Sequence, residues 1–372
     1  MRLHHYLFAS CLSVFSLSSH AEVVANLYQV HEPVASQTPD ERTQAITRAL
    51  ETLVLRLTGD PKAINSPGLA SVRGDTQQII SQYGYDAGPP QSLQVDFDPV
   101  STDKALRSAG LAMWGNNRPV LLGWWLNETT EGANLVGDGQ SAAQPLRTAA
   151  RHRGLPLRLP LGDLSEQLVG TAKNLEGTDP APLQGASERY GADALLAVHA
   201  SQNGDKWQAK WRLWLGGQKE QGTSEGADQA ALADAVLLAV SERLAPRYVA
   251  RPGAAADLTV EIGGMTLDHY AEMGRLLEPF GGQLKTVNGD SVIYKVTASA
   301  DQIRSQMTLA KLREVPAPVP QPAATDASLP VAAPGAPIAP GAPGAPGAAA
   351  PGGAPVAVPA APAAANALHF HW

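Results

Sequence analysis

The sequence predicts an α+β fold of three small α/β modules with mixed or antiparallel sheets, the last ferredoxin-like. Three patterns carry this. Residues 46–57 repeat apolar side chains at helical spacing behind a strong N-terminal cap. Residues 207–215 alternate in polarity beside an Asn-Gly turn, and residues 258–312 run β-α-β-β-α.

The first module is expected over 22–115, with a strand from Leu27 to Val34. Thr38, Pro39 and Glu41 form a capping box with proline at the first helical position, which satisfies N–H groups that the first turn leaves unpaired. Ile46, Ala49, Leu50, Leu53, Val54 and Leu57 make one apolar stripe, and Gly59 with Asp60-Pro61 stops the helix. Ser66-Pro67 opens a second helix toward Tyr83. Leu93, Val95 and Phe97 alternate as a strand, with Asp96 on the solvent face and Asp98-Pro99 starting a short helix to Ala109.

The central module is expected over 116–251. Val120 to Leu126 is a short apolar run suited to a buried strand, followed by a helix from about Ser141 to Arg153 and a strand from Leu155 to Leu159. A helix ending at Tyr190-Gly191 feeds the strand Asp193 to Ala200. Asn203-Gly204-Asp205 turns it into Trp207, Ala209, Trp211, Leu213 and Leu215, spaced by Lys206, Gln208, Lys210 and Arg212. A polar strand and the helix Ala227 to Tyr248 complete the unit.

The third module, 256–313, places strands at Leu258–Ile262, Gln283–Val287 and Val292–Val296, with helices capped by Thr266 and by Ser299 with Gln302. It is one strand short of the β-α-β-β-α-β pattern. Residues 314–366 read as a linker: fourteen of the thirty prolines lie between Pro316 and Pro362, with alanine, glycine and valine, a composition that builds no packed core. Leu368-His369-Phe370-His371-Trp372 alternates strictly, so 367–372 is expected as a strand that docks on the open edge of the third module.

At the N-terminus, Arg2, His4 and His5 precede an apolar run from Tyr6 to Leu17, and Ser19-His20-Ala21 supplies small residues at −3 and −1. This predicts a signal peptide, 1–21, cleaved after Ala21, and a periplasmic protein. A lipoprotein at Cys11 is disfavoured because only about five apolar residues precede the cysteine, and a retained anchor because the run falls short of the ~20 residues that span a bilayer. Cys11 is the only cysteine, so the mature chain would lack disulfides, thiolate nucleophiles and cysteine-bound metals. A formal charge of −7 without a basic stripe argues against nucleic acid as partner.

Chemistry-bearing motifs are sparse. Gly222-Thr223-Ser224-Glu225-Gly226 fits G-x-S-x-G, and Asp234 or Asp257 followed by His269 completes a hydrolase order, but the preceding residues are polar where a buried strand is needed. The histidines remaining after cleavage (His31, His152, His199, His269, His369 and His371) show no ligand spacing beyond the His369/His371 pair on one strand face. Neither cofactor nor metal is expected. Trp124, Trp125, Trp207 and Trp211, with Phe370 and Trp372, are the candidate interaction surface; exposed, the tryptophans would bind protein, lipid or glycan, whereas in a layered core they cover helices.

The leader, the helix Arg42–Thr58 ending in Gly59, Ala109-Gly110-Leu111 with Trp114-Gly115 and Arg118-Pro119, Arg153-Gly154-Leu155-Pro156 and Tyr190-Gly191-Ala192-Asp193-Ala194 resemble the exported bacterial family known as domain of unknown function 2066. The resemblance implies a Gram-negative envelope protein and supplies no catalytic residues. Gly191 to Leu215 also resembles the strand-hairpin unit of periplasmic accessory modules such as those of curli-secretion and synthase-activator lipoproteins, which implies a non-enzymatic interaction domain. The function expected is a non-catalytic binding or scaffolding component of the envelope, with another envelope protein as partner. The alternatives are a serine hydrolase using Ser224 and a lipid or glycan binder using the tryptophan faces.

Overall fold

A computed structural model describes residues 22–24, 26–88, 90–249, 256–316 and 367–372. The expected leader and nearly all of the expected linker lie outside the described residues. The class is α+β.

In the first unit, β1 (Glu22–Val23) precedes β2 (Gln29–Pro33), α1 (Pro39–Thr58), α2 (Leu69–Gly74), β3 (Ile80–Asp86), β4 (Ser92–Phe97) and α3 (Pro99–Ser108). The three-stranded antiparallel sheet has the order β2-β4-β3. It presents Val30, Leu93, Val95 and Phe97 to the buried stripe of α1, Ile46 to Leu57. Thr38 accepts from the Glu41 amide at 3.4 Å, but the Glu41 carboxylate turns to Arg48 at 3.0 Å, so only half of the expected capping box forms. The helix expected to run toward Tyr83 stops at Gly74, and Ile80–Asp86 is a strand. Pairing with β4 outweighs a weak local helix signal. Asp98 caps α3, accepting from the Ser101 amide at 2.8 Å, and Asp96 lies on the outer sheet face among Gln82 and Gln94.

β5 (Asn117–Arg118) pairs with β1 across the loop expected as a module boundary. The central unit then runs β6 (Leu121–Thr129), β7 (Gly132–Leu135), α4 (Ala143–Arg153), β8 (Leu157–Arg158), α5 (Leu164–Val169), α6 (Ala172–Leu175), α7 (Ala181–Ser187), β9 (Ala194–Asn203), β10 (Lys206–Leu215), β11 (Gln218–Gly226) and α8 (Gln229–Tyr248). The sheet order is β11-β10-β9-β6-β7, with β8 sharing the outer side of β6. β6 runs parallel to β9, and β9, β10 and β11 form the antiparallel meander expected from the alternation. Helices cover both faces. The α4 and α8 side buries Trp125, Trp207 and Trp211, and the α5–α7 side buries Trp124.

The third unit is β12 (Ala256–Gly263), α9 (Leu267–Leu277), β13 (Gln283–Asn288), β14 (Ser291–Ala298), α10 (Ala300–Leu309), β15 (Arg313–Glu314) and β16 (Ala367–His371), in the sheet order β13-β14-β12-β16-β15. Arg313–Glu314 is therefore part of the sheet, which corrects the expected boundary of the linker at 314. Among the described residues no helix is long and apolar enough to cross a membrane.

Candidate functional site

The third sheet has a position that its local sequence fills only in part. α10 is held by a complete capping box: Ser299 accepts from the Gln302 amide at 3.3 Å, and Gln302 accepts from the Ser299 amide at 2.9 Å. Its C-terminal turn closes with Leu312 N–H on Met307 C=O at 2.9 Å, and Lys311 takes a left-handed φ of 64° to redirect the chain. The chain then enters β15, two residues long, and soon reaches Pro316. Pro316 lacks a ladder donor and has a fixed φ, in keeping with the end of β15 at Glu314. In a ferredoxin-like arrangement a fourth strand at this place would lie antiparallel beside β12. Here β15 stands one position further out, and β16 fills the gap.

β16 runs parallel to β12, in the register Thr259↔Ala367 to Gly263↔His371, and antiparallel to β15, with Glu314 opposite Phe370. The Val315 amide donates to His369 C=O at 2.9 Å, and the Trp372 amide to Gly263 C=O at 3.2 Å. Leu368 and Phe370 are buried with Val260, Ile262, Ile303 and Met307. Trp372 is half-buried and stacks on His269 of α9, with ring centres 3.8 Å apart and planes 9° apart. On the opposite face His369 meets Glu261 at 3.0 Å, while His371 Nδ1 lies 2.9 Å from Trp372 C=O. The expected docking edge is thus an internal slot with a strand on each side.

The energetics of this strand are balanced. Burying Leu368, Phe370 and half of Trp372 gives roughly 4–8 kcal/mol, and about five ladder bonds add ~1 kcal/mol each. Ordering the five residues costs about 5–10 kcal/mol. Closing a loop of about fifty residues adds roughly 3 kcal/mol. The sum lies within a few kcal/mol of zero.

The other expected interaction residues are not on a surface. Trp124, Trp125, Trp207 and Trp211 are 0%, 3%, 7% and 2% exposed, because both faces of the central sheet carry helices. This corrects the tryptophan faces expected for a lipid or glycan binder. Phe370, 3% exposed, lies inside the third core on the docked terminal strand and is not on a surface either. Trp372 alone of the six keeps partial exposure. Ser224 Oγ accepts from the Trp211 indole at 3.3 Å, on the core side of β11. Asp234 pairs with Arg153, Asp257 pairs with Lys295 at 2.6 Å, and His269 is stacked under Trp372. None of these contacts joins the serine to a histidine.

A second feature gave no sequence signal. The outer face of the central sheet, beyond the part covered by α5–α7, forms an open polar groove of about 550 Å³. His199 bridges two carboxylates there, 2.6 Å from Glu128 and 2.7 Å from Glu176, and Lys210 reaches Glu176 at 3.0 Å. Hydrogen bonds from His199 and Lys210 hold the Glu176 carboxyl below its ordinary range. His199, Lys210 and Glu128 meet through strand register, and the end of α6 brings Glu176 to them. Among the described residues no group of three or more His, Cys, Asp or Glu side chains is arranged to hold a metal ion.

Residues 21–115 match the family described as Domain of unknown function (DUF8605). This corrects the resemblance to domain of unknown function 2066 drawn from the short motifs. Those motifs were individually brief and spread along the chain, whereas the match is confined to the first unit. No curated protein matches the chain. Among solved structures, the C-terminal domain of LpoB from Salmonella enterica aligns at 20% identity with a TM-score of 0.20, covering 29% of this chain and 81% of that one.

Proposed function

We propose that the chain is a non-catalytic binding or scaffolding component of the bacterial cell envelope, exported to the periplasm by a leader cleaved after Ala21, and that it acts on another envelope protein. The observation that carries this reading is the slot between β12 and β15, occupied by a strand that arrives from about fifty residues further along the chain. A sheet that completes itself with a remote strand has the geometry by which sheets bind extended peptides. The contacts of Ser224 with Trp211 and of His269 with Trp372 support the non-catalytic part.

In-cell photo-crosslinking from positions around the third unit, followed by affinity capture, tests the proposal. The expected result is a reproducible envelope-protein adduct and a mature chain beginning at Glu22. Labelling of the wild type, but not of Ser224→Ala, by a serine-directed activity probe would overturn the non-catalytic reading.

A further inference from the structure

We infer that the slot between β12 and β15 is a peptide-binding site for an extended segment of a partner protein, and that residues 367–372 are its built-in, exchangeable occupant. The inference rests on the binding role proposed above and names the site and the partner's chemistry.

Three observations carry it. First, β14 pairs along one edge of β12, but the third unit brings no full-length strand of its own to the other edge: β15 has two residues, too few to satisfy the ladder from Thr259 to Gly263. The slot therefore requires a strand supplied from elsewhere. Second, the strand that fills it has no local connection to it. Residues 317–366 separate Pro316 from Ala367, so the strand is supplied from far along the sequence and not by a neighbouring element. Third, Leu368 and Phe370 are the only side chains of β16 in the third core, and the rough balance of their burial and ladder bonds against ordering the strand leaves little to hold it against a competing segment.

The contacts of the resident strand specify the ligand. It is extended and runs parallel to β12. Apolar side chains are needed at two alternate positions, where Leu368 and Phe370 enter the core, and an aromatic ring two residues later, where Trp372 lies on His269. The intervening position faces Glu261, as His369 does at 3.0 Å, which selects a basic or imidazole side chain there. The partner segment is thus apolar-basic-apolar-x-aromatic.

The test uses the folded full-length chain with a protease site placed within 317–366, so that the tether is cut after folding. A labelled peptide of sequence Ala-Leu-His-Phe-His-Trp is added to cut and uncut protein. Exchange of the resident tail for the peptide in the cut chain is expected, with several-fold weaker apparent binding to the uncut chain, where the resident strand stays covalently joined to the slot. A peptide with alanine at the Phe370 position should bind at least tenfold more weakly. Failure of the cut tail to be replaced would make β16 a permanent strand and overturn the inference. Equal binding to cut and uncut protein would place the peptide elsewhere and overturn it too. Tail-swapped dimers of the uncut chain would make a second copy the occupant, against the assignment to a partner. The two readings fail separately. Envelope adducts that persist in a chain whose cut tail does not exchange would leave the binding role standing and remove the slot. Exchange without any adduct would do the reverse.

Discussion

The guanidinium of Arg118 lies 4.4 Å from the ring centre of Trp114, which stacks on Tyr248 with centroids 5.6 Å apart. Arg118 is completely buried and, among the described residues, meets no carboxylate. It donates to the carbonyls of Gly115, Trp114, Arg56, Arg153 and Gly154 at 2.7–3.2 Å. These carbonyls come from α1, from the end of α4 and from the loop before β5, so one side chain ties the first unit to the central one. Burial, reinforced by the nearby charge of Arg56, lowers the pKa of Arg118 from its ordinary value. Arg118→Lys keeps the charge and loses the fork, and Arg118→Met loses both. Each leaves several buried carbonyls unpaired, at about 1–3 kcal/mol apiece. Urea unfolding of both variants should show losses of at least ~3 kcal/mol. A loss for lysine below ~1 kcal/mol would refute the joint.

Two glycines separate backbone strain from crowding. Gly59 and Gly204 have nearly the same φ, 64° and 63°, but a Cβ on Gly59 would lie 2.4 Å from the Ala245 Cβ, and one on Gly204 meets nothing within 4 Å. Gly204→Ala should therefore cost about 1 kcal/mol, the left-handed penalty alone. Gly59→Ala adds overpacking of about 1–3 kcal/mol against α8. Chemical denaturation of the two variants side by side checks the ordering, and equal losses would contradict the α1–α8 contact.

Asp234 on α8 pairs with Arg153 and lies 3.8 Å from His152. Burial alone would raise its pKa, but His152 and the Arg153 charge outweigh it, and the folded value lies below the ordinary carboxylate range. Its stabilising effect is thus fully present above the unfolded carboxylate pKa and is lost as pH falls through the lower folded value. Because 36% of the side chain is exposed, solvent screening limits the effect to about 1 kcal/mol at neutral pH. Asp234→Asn should be less stable than the wild type at pH 7, and the two unfolding curves should converge as pH falls below about 4. A gap that persists at pH 3 would assign the loss to packing.

Phe370 tests how independent the tail is. In a fixed core, Phe→Ala costs about 3–5 kcal/mol. Here undocking limits the cost, because releasing residues 367–371 relieves the cavity. Amide exchange on Phe370→Ala should show loss of protection in 367–371, with protection in β14, from Ser291 to Ala298, largely kept. Equal loss in both segments would mean that tail and sheet unfold as one unit.

Local signals carried much of the architecture. The spacing of Ile46 to Leu57 before Gly59, the alternation of Trp207 to Leu215 and the caps at Thr266 and Ser299 each lie within one element, so chain-local physics is enough to read them. The alternation of Leu368, Phe370 and Trp372 marked a strand for the same reason. Where two segments had to compete for one place, local signals stopped. Ile80–Asp86 is a strand because β4 offers it a ladder, and a sequence window contains no record of β4. The burial of Trp124 and Trp125 on opposite faces was undecidable from alternation, since period two places the two rings apart but does not say that helices cover both sides. The joint at Arg118 joins carbonyls from three parts of the chain, and His199 meets Glu128 and Glu176 only after β6 and β9 take their register and α6 packs beside them. The slot shows the same division. The missing strand and the terminal alternation were legible, but its insertion between β12 and β15, parallel to one and antiparallel to the other, was settled by tertiary structure. Register and neighbour order depend on hydrogen bonds between segments distant in sequence, and no local pattern encodes them.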